Sequence, residues 1–152
     1  MNFQMEFQEK PAQPVISIRT RSAVGDLPQV IGAAYASIMN YLTEMGSAPA
    51  GAPFVGYYNM DMQDLDIEVG FPVSKPLAGK GALKPGEIPA GKQVSTMHVG
   101  PYNQVEPAYH AIMEWIAANG HIPTGVCYEF YPNDPANTPE SELLTQIVFM
   151  LK

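Results

Sequence analysis

Residues 31–59 read IGAAYASIMNYLTEMGSAPAGAPFVGYYN, and residues 105–133 read VEPAYHAIMEWIAANGHIPTGVCYEFYPN. Set on one another at a constant offset of 74, they are identical at nine of twenty-nine positions: Ala34/Ala108, Tyr35/Tyr109, Ile38/Ile112, Met39/Met113, Gly46/Gly120, Pro49/Pro123, Gly51/Gly125, Tyr57/Tyr131 and Asn59/Asn133. Average composition would give about two matches by chance. Tyr41/Trp115, Leu42/Ile116 and Phe54/Tyr128 keep their character without being identical. A gapless repeat in two copies means two packed supersecondary units. The sharpest mismatch inside it sets Val55 against Glu129.

Working outward, each copy reads as strand, helix, strand, strand. In the first, residues 15–20 alternate with period two, the mark of a half-buried strand. Asp26 or the residues just after it open a helix that tolerates Pro28 in its first turn. Ile31, Ala34, Tyr35, Ile38, Leu42 and Met45 form one stripe at 3/4 spacing, and Gly46 ends the helix. Strands at 54–58 and 65–73 follow. The second copy repeats the order, with a strand at 93–99, the Gly100-Pro101 break, a helix over 104–119 ended by Gly120, and strands at 126–131 and 143–151. Its NDPANTPES loop carries about four extra residues, since an offset of 78 then pairs Leu65 with Leu143 and Phe71 with Phe149.

The expected architecture is a single α+β domain over 1–152, with repeat 1 at about 14–73, a Gly- and Pro-rich crossover at 74–92 and repeat 2 at about 93–151. Two βαββ units with pseudo-twofold symmetry would join their antiparallel strands in one sheet, with both helices on one face and a groove between the repeats. Such grooves commonly take small ligands.

Composition narrows the function. A hydrophobic fraction of 46% and a charged fraction of 15% describe a folded chain, and nine Met suit an adaptable apolar cavity as well as a core. A net charge of −7 argues against nucleic acid and anionic membrane as partners. The lone Cys127 excludes an intramolecular disulfide and fits a reducing cytoplasm. The start MNFQMEFQEKP lacks the basic and apolar runs of a signal peptide, and no stretch has the roughly 18 apolar residues of a membrane helix. A cytoplasmic location is the expectation.

Several chemical motifs fail. Residues 86–92, GEIPAGK, match the start of a phosphate loop, but Gln93 stands where Ser or Thr would hold magnesium, and a strand follows instead of a helix. His98, His110 and His121 show no metal spacing and there is no second cysteine, so neither metal nor cofactor is expected. No GxSxG elbow is present. Cys127 reads as a buried, inert thiol.

Glu129 is different. It sits in VCYEFY, a strand apolar on both faces, where a carboxylate is withdrawn from water and must find a partner, hold a proton or serve a ligand. The alternatives are a solvent-facing glutamate or one paired with Arg19 or Arg21. Tyr131 shares its strand face, Tyr57 is the repeat mate of Tyr131, and Trp115 and Tyr41 are mates at the edges of their helix stripes. Aromatic faces around a carboxylate trap organic cations, each ring adding about 0.5–2 kcal/mol. Each of these rings taken singly also suits a core position.

The stretches EIPAGKQVSTMHVGPYNQV, AYHAIMEWIAANG and YEFYPNDP, followed by LLTQIVFML, resemble the GyrI-like effector-binding domain found in AraC-type and multidrug-sensing MerR-type regulators. The resemblance runs from about Val15 to Leu151. It implies a ligand groove at the junction of the repeats, with the family's acidic residue falling on Glu129, Tyr131 in the same motif, and Trp115 on a helix position often aromatic. Regulators of the family carry a helix-turn-helix segment for which these 152 residues leave no room, so a free-standing binding protein is expected. Other relatives inhibit gyrase or hydrolyse strained electrophiles with the acidic residue. The leading expectation is capture of an amphipathic, cationic organic molecule by Glu129, Tyr131, Trp115, Tyr57 and Tyr41. The alternatives are a hydrolase with Glu129 as catalytic acid/base, and a gyrase-inhibitor-like protein that meets a protein partner.

Overall fold

The computed structural model describes residues 3–152. It has eight strands and two helices, an α+β composition: β1 (Glu6–Lys10), β2 (Gln13–Ser22), α1 (Leu27–Glu44), β3 (Phe54–Tyr57), β4 (Leu65–Pro72), β5 (Leu83–Ile88), β6 (Gly91–Val99), α2 (Glu106–Ala118), β7 (Pro123–Phe130) and β8 (Leu144–Leu151). They fall into two compact units. One is Ala12–Pro89; the other is Ala90–Lys152 together with the N-terminal segment through Pro11.

In the first unit the strands run β3-β4-β2-β5, all antiparallel. The alternation in β2 turns Ile16 and Ile18 toward α1, where they meet Ile38, Tyr41 and Leu42 of the helix and Phe71 and Val73 beyond it. Ile16, Ile38 and Leu42 are fully buried. Each such side chain contributes roughly 1.5–3 kcal/mol through burial, which holds the amphipathic helix on its sheet.

In the second unit the order is β1-β6-β8-β7, again antiparallel. Val94, Ile147 and Leu151 from the sheet pack against Ala108, Ile112 and Ile116 of α2. Taken separately, the two units have the same strand order: an added strand, then the first, third and second strands of the βαββ motif. Both helices also end alike. Gly46, with φ +64°, and Gly120, with φ +72°, stand just past their C-caps. Ser47 N–H donates to Leu42 O at 2.8 Å, and His121 N–H donates to Ile116 O at 3.0 Å. These 6→1 bonds are Schellman closures, and they explain why glycine recurs at both positions.

Two strands lie outside the expected bounds of the repeats. The crossover at 74–92 is not only a connection, because β5 forms within it and pairs with β2 from Gln13↔Ile88 to Ile18↔Leu83. A further strand precedes repeat 1: β1 pairs with β6 from Glu6↔Ser95 to Lys10↔Gly91. Neither strand alternates in hydrophobicity. β5 carries Pro85 and Gly86, which an end strand tolerates because one of its sides makes no ladder bonds. All five residues of β1 are exposed.

Candidate functional site

Glu129 lies near the end of β7, in register with Ile147 of β8, a residue of the α2-facing core. It is half-buried. Both carboxylate oxygens accept hydrogen bonds from phenols. The Tyr131 hydroxyl donates to Oε1 at 2.7 Å, and the Tyr109 hydroxyl, from α2, donates to Oε2. Hydrogen bonds to an ionised acceptor are about twice as strong as neutral ones, and two of them fix the orientation of the carboxylate.

The helix presents Tyr109 here because it follows Ala108, a fully buried anchor, on the same stripe. Its ring stands edge-on to Phe149 of β8 at 5.8 Å. Tyr131 is set from its other side by Tyr102, whose ring meets it edge-on at 5.3 Å. Tyr102 opens the short 3-10 turn Tyr102–Gln104 that follows Gly100-Pro101. Burial, with a smaller contribution from the charge of Asp134, raises the Tyr102 phenol above its ordinary pKa, so it stays a neutral donor.

The electrostatics are one-sided. No Lys, Arg or His forms an ion pair with Glu129 among the described residues. Its oxygens are satisfied by neutral groups, which orient a negative charge without cancelling it. Cys127, two residues earlier on β7, feels that charge. Burial first and Glu129 second push its thiol up to about 12, against a lowering contact with Tyr109. It is therefore a neutral thiol at physiological pH and no nucleophile.

Within the unit that holds Glu129, the sequence-derived set divides. Glu129 and Tyr131 are brought together. Trp115 lies elsewhere on α2, stacked with His121 at 5.6 Å and 7° and tilted against Phe7 at 5.9 Å. Six helical residues from Tyr109 amount to 600°, or about 120° around the axis, so the two rings lie on different faces. Tyr41 is buried in the α1 core and donates to Ala78 O. Tyr57 ends β3 in register with Ile67. Tyr109 and Tyr102 are the partners the sequence reading passed over. The available signal was Tyr35/Tyr109, an identical pair in the repeat whose hydroxyls need partners once buried.

Other candidates are weaker. Among the described residues, no three of His, Cys, Asp and Glu come close enough to hold a metal. Residues 86–92 run from the end of β5 into β6, so no helix terminus faces a phosphate there. A shallow groove of about 420 Å³ lies between Phe3 and α2, lined by Glu106, Pro107, His110, Ala111 and Glu114. Its carboxylates are exposed and solvated, whereas Glu129 is held and half-buried. The chemistry favours Glu129. No described helix is long and apolar enough to cross a membrane.

The whole described chain matches known architecture. The model of the GyrI-like small molecule binding domain matches residues 3–152. The crystal structure of the EcmrR C-terminal domain superposes with a TM-score of 0.79 at 24% identity, covering 100% of this chain and 99% of that one. EcmrR in its DNA complex gives a TM-score of 0.82 at 23% identity over 99% of this chain and 57% of that one, so the chain spans little more than half of that relative's length. SAV2435 bound to tetraphenylphosphonium gives 0.65 at 10% identity, over 100% and 94% of the two chains. No curated protein matches in sequence. The structural likenesses, all below 25% identity, establish the fold, and the match over 3–152 establishes the kinship: the chain belongs to the GyrI-like small-molecule-binding domains.

Proposed function

We propose that this protein captures amphipathic organic cations, with Glu129 as the counter-charge. The observation that carries the reading is the carboxylate whose two oxygens are held by the Tyr109 and Tyr131 hydroxyls and which has no cationic partner among the described residues. A lipophilic cation supplies the missing charge, and the phenol rings supply faces for cation–π attraction, about 0.5–2 kcal/mol per ring. The net charge of −7 raises the local concentration of cations around the molecule. SAV2435, which shares the fold, binds tetraphenylphosphonium, and that makes this cation the probe of choice.

Calorimetric titration with tetraphenylphosphonium should give a dissociation constant in the low micromolar range, roughly −8 kcal/mol. Glu129→Gln keeps the volume and removes the charge, and should cost about 1–3 kcal/mol of that binding. Equal affinities for the two proteins would sink the role of Glu129. Mass spectrometry of the recovered ligand separates capture from turnover: an unchanged mass supports capture, and a hydrolysed product of an electrophilic ligand would make Glu129 an acid/base catalyst instead.

A further inference from the structure

We propose that His98 is a positioning residue for the Glu129 site, acting through the turn that carries Tyr102. This rests on the reading of Glu129 as the ligand's counter-charge, and extends it to a residue that touches neither the carboxylate nor a ligand.

His98 lies on β6 and is 2% exposed. Its Nε2 stands 2.9 Å from the carbonyl oxygen of Pro101. A carbonyl only accepts, so Nε2 carries the proton and donates. The other ring nitrogen, Nδ1, is enclosed without a hydrogen-bond partner, as is Oγ1 of Thr145, the residue in register with His98 on β8. With no acceptor in reach of Nδ1, a proton there would gain nothing, and the Nε2–H tautomer is selected.

The consequence lies three residues on. Gly100, at φ +131°, turns the chain out of β6 and donates its N–H to Leu143 O at 2.8 Å. The His98 bond to Pro101 is the second tether on this turn. Immediately after it, Tyr102 places its ring against Tyr131 at 5.3 Å, and Tyr131 donates to Glu129 Oε1 at 2.7 Å. The contacts run from a buried imidazole through one carbonyl and two rings to the functional carboxylate, all within one unit. Packing alone does not require an imidazole at position 98. A side chain that fills the space without donating leaves the Pro101 carbonyl with only the Gln104 N–H, at 3.1 Å, which lies within the turn itself, and loosens the turn's hold on β6.

Two measurements test this on the intact chain. Long-range ¹H–¹⁵N correlation on the wild type reads the tautomer directly: Nε2–H with a bare Nδ1 is expected, and a proton on Nδ1 would overturn the proposal without any mutation. His98→Phe and His98→Gln are then compared by the ring resonances of Tyr102 and Tyr131 and by tetraphenylphosphonium titration, with thermal unfolding confirming that each is folded. His98→Phe should move both sets of ring resonances and weaken binding about fivefold, the equivalent of one lost neutral hydrogen bond. His98→Gln retains an N–H donor and should restore both. Unmoved tyrosine resonances in a folded His98→Phe protein would refute the positioning role. Moved resonances in a protein whose wild type binds no tetraphenylphosphonium would uphold positioning and overturn the ligand reading.

Discussion

The two units place the same tyrosine on the same helical stripe and use it differently. In the unit ending at Lys152, the Tyr109 hydroxyl reaches the carboxylate of Glu129. In the unit spanning Ala12–Pro89, the position matched to Glu129 is Val55, fully buried, and the matched Tyr35 donates to the backbone carbonyl of Phe54 at 3.1 Å. The first unit does contain a clamped carboxylate, but at another place and on other terms. Glu68 accepts from the Ser17 and Tyr58 hydroxyls, both at 2.6 Å. The Arg19 guanidinium lies 3.6 Å over the Tyr58 ring and interacts with the Glu68 charge. A carboxylate held by two hydroxyls is therefore not by itself the mark of a ligand site. What sets Glu129 apart is that no cation of the protein accompanies it among the described residues.

The strongest way to break this comparison is to make the units alike. Val55→Glu places a carboxylate in a fully buried apolar position with one tyrosine nearby, and should destabilise the protein by about 3–5 kcal/mol as an uncompensated buried charge. Urea unfolding measures it. If the variant kept its stability and bound a second equivalent of tetraphenylphosphonium, the asymmetry would be an accident of sequence and not a requirement of the scaffold.

A finer test removes one hydroxyl from each unit. Tyr109→Phe takes a donor from an ionised oxygen, worth about 1.5–3 kcal/mol, whereas Tyr35→Phe takes one from a neutral carbonyl, worth about 0.5–1.5 kcal/mol. The Tyr109 variant should also weaken cation binding by disordering the carboxylate, and the Tyr35 variant should leave it unchanged. Equal losses of stability and equal effects on binding would show that the two tyrosines serve only packing.

Much of this was legible in the chain itself, and the exceptions have physical causes. Gly46 and Gly120 mark both helix ends because a Schellman closure needs positive φ, a local demand written in one residue. Glu129 stood out because a charge inside an apolar strand has few places to go. β1 and β5 escaped notice because their pairing is made with strands distant in the chain. EFQEK and LKPGEI carry no period-two signal of their own. Trp115 does not face the same way as Tyr109: repeat mating identifies equivalent positions but not the direction in which a ring points. Tyr109 was passed over for the complementary reason: a tyrosine on a helix stripe looks like core, and whether its hydroxyl reaches a carboxylate twenty residues on is settled only by the packing of α2 on β6 and β8.

The smallest expected difference between the units is their response to acid. Arg19 donates to both oxygens of Asp66, at 2.6 and 2.9 Å, and Arg21 approaches the same carboxylate at 3.9 Å. The hydrogen bonds from Arg19, opposed in part by desolvation and aided by the charges of both arginines, hold Asp66 below the ordinary aspartate range. A carboxyl with a depressed folded pKa binds its proton more tightly in the unfolded chain. Its contribution is therefore complete above the unfolded value of about 3.9 and is lost as the pH falls through the lower folded value. The pair is 52% and 22% exposed, so water and salt screen it and the contribution is about 0–1 kcal/mol. Asp66→Asn should lower stability by that amount at pH 7 and flatten the decline below pH 4, an effect that shrinks further in high salt. Unfolding followed through tyrosines placed in each unit would locate the loss: acid sensitivity confined to reporters within Ala12–Pro89 is expected, and an equal response from Ala90–Lys152 would mean that acid acts on the whole chain and not through the Arg19–Asp66 pair.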